Sequence, residues 1–125
     1  MDKDSFLRGF LIFSGYLEIG FGLFFIFFMD FFLKTLGLPN LPLFSQMAGL
    51  ELSLLGFLLL YSARDIEKYL IIPIISIILR FIMPILEIYT MILYPQLIVM
   101  LLPGALYDAI SAAFTLILLK KCEYI

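Results

Sequence analysis

The sequence predicts an all-α integral membrane protein, a four-helix antiparallel bundle with its N- and C-termini cytoplasmic. Three observations lead there. Of 125 residues, 64% are hydrophobic and only 14% charged, with a mean hydropathy of +1.15. A soluble domain of this length is usually about half apolar and a quarter charged. The apolar residues fall into four long runs, and a spanning helix needs roughly 20 such residues. The basic residues gather in alternate connections between those runs.

Each run reads as a helix because continuous apolar stretches of this length exceed what a strand uses. The spans are expected at about 6–29, 44–63, 69–94 and 97–119, which makes residues 1–125 a single transmembrane domain. Met1 to Arg8 resembles the n-region of a signal peptide. The apolar run behind it is too long for one and has no small-residue cleavage site, so it is expected to remain as a helix. Asp30-Phe31-Phe32-Leu33-Lys34 fits a short amphipathic helix lying in the interface, and Gly37, Pro39 and Pro42 break the chain after it. Arg64-Asp65-Ile66-Glu67-Lys68 and Tyr94-Pro95-Gln96 are tight turns, which force antiparallel neighbours. Cys122-Glu123-Tyr124-Ile125 reads as a solvated tail. The phenylalanine-rich run Phe21 to Phe32 reads as lipid-facing surface or core filler.

Orientation follows from lysine and arginine. Lys3, Arg8, Arg64, Lys68, Lys120 and Lys121 fall on one side, and only Lys34 lies in a loop on the other. Both termini are therefore expected in the cytoplasm, in a cell membrane (the inner membrane if the source is bacterial). Tyr61, Tyr69 and Tyr94 suit interfacial belts, whereas Tyr16 and Tyr107 fall near mid-membrane.

Five ionisable residues lie inside the spans: Glu18, Glu51, Arg80, Glu87 and Asp108. A charge at the bilayer centre costs at least ~2.5–3.5 kcal/mol on insertion scales, so all five are expected to face the bundle interior. Helical spacing groups Gly104, Asp108, Ser111, Ala112 and Thr115 on one face, Ser14, Gly15, Glu18 and Gly22 on another, and Ser76, Arg80, Glu87 and Thr90 on a third. The small residues among them permit close helix approach. Reflecting the spans about their short turns puts Glu51 and Asp108 within about one helical turn of Arg80 in height, so Arg80 is expected to pair with one of them. Glu87 is expected higher, as a marker of an outer path. Pro84 leaves the Arg80 carbonyl without its helical donor, and Pro103 does the same for Val99.

Composition also excludes chemistry. There is no histidine and a single cysteine, Cys122. A His-ligated haem, a typical zinc centre and a Ser-His or Cys-His nucleophile all need residues this chain lacks. No catalytic residue and no metal site is assigned, an enzyme is not the leading expectation, and no basic patch suits nucleic acid.

The run Arg8-Gly9, the series Gly49, Gly56 and Tyr61-Ser62-Ala63-Arg64-Asp65, then Arg80 and Tyr107-Asp108 resemble the small four-helix bacterial membrane proteins grouped around DoxX. The resemblance covers most of the chain. It implies the four-helix fold and, because some members resemble subunits of quinone-linked oxidoreductases, a quinone as candidate ligand. It carries over no catalytic residue.

Three readings of function remain open. The first is a membrane protein binding a small lipophilic, quinone-like molecule, or serving as an accessory subunit. Glu18, Glu51, Arg80 and Asp108 would line the pocket, with Tyr16 and Tyr107 as hydrogen-bonding handles. The second is a proton-coupled carrier or conductor, built as a homo-oligomer or with a membrane partner. The third is a structural subunit whose charges only fix helix register. One arginine against four acids weighs against the third, because so many like charges would repel one another in a low dielectric.

Overall fold

A computed structural model describes residues 3–125, with side chains from residue 4 onward. Met1 and Asp2, at the head of the signal-like start, lie outside the described residues, as does the Lys3 side chain counted above. The described residues form α1 (Lys3–Phe27), α2 (Met29–Thr35), α3 (Pro42–Ser62), α4 (Ile71–Leu93), a 3-10 turn (Pro95–Leu97) and α5 (Ile98–Lys121). Four stretches are long and apolar enough to cross a membrane: Asp4–Phe27, Pro42–Ser62, Ile71–Leu93 and Pro95–Lys121. The third span, α4, begins two residues later than the expected 69, because residues 63–70 form the connection from α3.

The helix ends follow local chemistry. The α2 helix closes in a Schellman motif: Leu38 N–H donates to the Leu33 carbonyl at 3.0 Å and Gly37 N–H to that of Lys34 at 3.0 Å. Gly37 takes φ +76°, the left-handed conformation this motif needs. Pro42 opens α3 at its first position, where a missing N–H costs nothing. The α5 helix ends in a second Schellman motif, with Tyr124 N–H on the Leu119 carbonyl at 3.0 Å and Glu123 at φ +63°. The tail is therefore folded and not simply solvated, and the Tyr124 hydroxyl bonds to the Asp4 carboxylate.

Several polar side chains are buried among apolar ones, and much of the surface is apolar. Ser14, Glu18, Ser45, Ser62, Ser76, Arg80, Ser111 and Thr115 are buried, whereas Val99 is 87% exposed, Ile92 73% and Phe27 70%. Phe21, Phe24, Phe28 and Phe31 of the phenylalanine-rich run are exposed as well. Water penalises such a surface and hydrocarbon does not.

The chain divides into two compact units. One holds residues 8–66, meaning most of α1 with α2 and α3. Its α1 and α3 meet through glycines at heptad spacing. A Cβ on Gly15 would lie 2.8 Å from the Gly56 carbonyl oxygen, and one on Gly22 would lie 2.5 Å from that of Gly49. Gly15 thus opposes Gly56 and Gly22 opposes Gly49, so the two helices run in opposite directions with their backbones in contact. The other unit holds the first turn of α1 and residues 67–125. There α4 packs along α5, and Phe6 meets Phe114 edge-on at 5.7 Å.

Candidate functional site: a charged cluster between α4 and α5

Arg80 sits in the third turn of α4 and is 4% exposed. Pro73, Ser76 and Ile77 are buried on the same stripe, at the spacing of one helical face. Its Nη1 donates to Ser111 Oγ on α5 at 3.0 Å. Its guanidinium carbon lies 5.6 Å from the centre of the Tyr107 ring, within cation–π range. The Asp108 carboxyl lies within electrostatic reach of Arg80 and of Glu87. Tyr107 and Ser111, one α5 turn apart, therefore meet a single α4 side chain, with Asp108 on the same turn.

The α5 backbone is ordered around the cluster. Ser111 Oγ bonds back to the Asp108 carbonyl at 3.2 Å, and Thr115 Oγ1 to the Ser111 carbonyl at 2.7 Å. Such back-bonding satisfies hydroxyls that have no water to turn to. Gly104 is one turn before Asp108, and a Cβ there would stand 3.6 Å from Glu87 Oε2. In this cluster the Tyr107 hydroxyl and Glu87 Oε2 are buried and find no hydrogen-bond partner among the described residues.

Several of the residues singled out in the sequence come together here and others do not. Arg80, Tyr107, Asp108 and Glu87 converge. Glu87, expected higher than the others, stands near Asp108. Side chains on a helix tilt toward its N-terminus, so Glu87 leans down α4 toward Arg80 while Asp108 leans toward Gly104. On antiparallel helices these two tilts close the gap. Ser111, an Arg80 partner, was read only as a small residue on the α5 face. Its hydroxyl one turn from Asp108 was the available signal.

Glu18 is buried in the 8–66 unit, as expected of an intramembrane acid. Glu51 is not buried: its side chain is exposed on α3. It is two residues from Gly49, about 200° around the helix from the face that meets α1. Tyr16 is likewise 65% exposed, next to Gly15 but off the packed stripe. Among the described residues no three histidine, cysteine or acidic side chains are grouped to hold a metal ion.

No protein-family model, no curated protein and no solved structure matches the chain.

Proposed function

We propose that this is a small polytopic protein of the cell membrane, a four-span antiparallel bundle with cytoplasmic termini. In this reading it binds a small lipophilic molecule of quinone-like class at the α4–α5 cluster, alone or as the accessory subunit of a larger membrane assembly. One observation carries the reading. The Tyr107 hydroxyl is buried, on a ring that the Arg80 guanidinium covers, and it finds no hydrogen-bond partner among the described residues. An unsatisfied buried polar group costs about 1–3 kcal/mol, and a ligand carbonyl accepting from Tyr107 would recover much of that. Arg80 would add positive potential to the same carbonyl oxygen. The resemblance to DoxX-type proteins points to the same class of molecule.

The sequence leaves open a proton-coupled carrier, and the closeness of the Glu87 and Asp108 carboxyl groups speaks for it, since neighbouring carboxylates repel each other in a low dielectric. Ligand binding is preferred because it gives the Tyr107 hydroxyl a task.

The test uses Tyr107→Phe. Because the hydroxyl makes no internal bond, its removal leaves the unliganded protein at least as stable as wild type. Detergent-solubilised protein is heated with and without a short-chain benzoquinone. Wild type is expected to melt higher with the quinone, and Tyr107→Phe to lose most of that shift. Equal shifts in both proteins, or none in wild type, overturn the reading.

A further inference from the structure

Away from that cluster, an open cleft of about 490 Å³ lies in the α2–α3 connection, lined by Lys34, Leu38, Pro39, Asn40, Leu41 and Phe44. We propose that it seats the headgroup of a zwitterionic phospholipid. The phosphate would sit on the Lys34 ammonium, the headgroup amine toward Asp30, and the acyl chains along the exposed apolar side chains below.

The cleft is built before any ligand arrives. The Schellman motif that ends α2 and the left-handed Gly37 fix the chain reversal. The Asn40 side-chain amide then clamps the loop from both sides, donating to Asp30 Oδ1 at 3.0 Å and to Ser45 Oγ at 2.8 Å. Asn40 thus ties α2 to the first turn of α3. A preformed site avoids the ordering cost of binding.

Its charges match one class of ligand. Lys34 is the only cation in this connection, and its Nζ lies 2.8 Å from Asp30 Oδ2. An ammonium has three donors. One serves Asp30, and the side chain is 61% exposed, so the others are available to a phosphate. The hydrogen bond from Lys34 holds the Asp30 carboxyl below its ordinary range, which keeps it ionised. Cation and carboxylate stand side by side with no net charge. That pattern complements a phosphate and an ammonium carried on one headgroup, and favours it over an anionic headgroup or a free ion.

The location supplies the rest. The first apolar stretch ends at Phe27 and the second begins at Pro42, so the cleft lies where two spans leave the hydrocarbon. Lipid phosphates occupy that level, just outside the ~30 Å apolar core. Phe31, Leu41, Leu43 and Phe44 are each more than half exposed around it. Free phosphate gains nothing from such walls, whereas a diacyl lipid covers them. The inference rests on the membrane reading above but not on the α4–α5 ligand.

Native mass spectrometry of the full chain, released from detergent with added palmitoyl-oleoyl phosphatidylethanolamine, tests it. Wild type is expected to retain one lipid saturably. Lys34→Gln should weaken retention roughly tenfold, the effect of losing one charge-assisted hydrogen bond. Lys34→Arg should keep most of it, and Lys120→Gln, at the end of α5, should change nothing. The site is overturned if Lys34→Gln retains the lipid like wild type, or if phosphatidylglycerol of the same chains binds equally well. Displacement of the lipid by millimolar inorganic phosphate overturns it too. The quinone-induced melting shift of Lys34→Gln should stay at its wild-type value, which separates this site from the other.

Discussion

Arg80 shows what a buried charge requires of its neighbours. Its positive charge is buried, so its stability depends on the α5 groups that meet it: Ser111 as acceptor, the Tyr107 face, and the charge of Asp108. Removing one member of a buried charged set leaves the others uncompensated and typically costs about 3–5 kcal/mol. Arg80→Ala is therefore expected to destabilise the protein by that order. Asp108→Asn in the same chain removes the acid that Arg80 leaves behind, so the double variant should be more stable than the sum of the two single changes predicts. Denaturation of all four proteins in mixed micelles measures the coupling. Strict additivity would mean that Arg80 and Asp108 do not act on each other.

At the scale of elements, the packing of α1 against α3 depends on what is missing from four positions. Gly15, Gly22, Gly49 and Gly56 bring two backbones together, and a methyl group on Gly22 would press on the Gly49 carbonyl and the Ser53 amide. Those are backbone atoms and cannot rotate aside. Gly22→Ala is expected to cost about 1–3 kcal/mol through overpacking. Gly20→Ala, whose Cβ meets nothing within 4 Å, should be neutral or slightly stabilising, since alanine is the better helix former. Equal melting temperatures for the two variants would contradict the close crossing. Much of this was legible in advance. The stripe Ser14, Gly15, Glu18 and Gly22 is buried as its spacing implies, and Asp30–Lys34 does form a short helix. Height along a helix was also legible from the turns, which placed Arg80 near Asp108. Azimuth decides Glu51: its offset of about 200° from Gly49 turns it outward. The clasp formed by Asn40 was not legible, because it joins residues five and ten positions apart across a loop whose path the sequence does not state.

For the whole molecule, the remaining question is which way the helices cross. The long apolar stretches and the outward-facing hydrophobic side chains are indifferent to direction, since either orientation buries the same surface in lipid. Direction is decided by charge outside the core. Arg8, Arg64, Lys68, Lys120 and Lys121, with Lys3, belong to the termini and the turn between α3 and α4, against Lys34 alone in the α2–α3 connection. Lys34 is further offset by its ion pair with Asp30. Translocating the heavily basic side would work against the positive-inside bias six times over, and the opposite arrangement only once. The ends of the chain strengthen the argument, because Tyr124 bonds to Asp4 within one unit and so holds the two termini on one side. Alkaline phosphatase fused after Ile125 is expected to be inactive, and the same enzyme inserted between Leu38 and Leu43 to be active. Fluorescent-protein fusions at the two positions should give the reverse pattern. Like signals from both positions would break the four-span topology. An exchanged pair would keep the spans and invert the molecule, which would put the Lys34 cleft in the cytoplasmic leaflet.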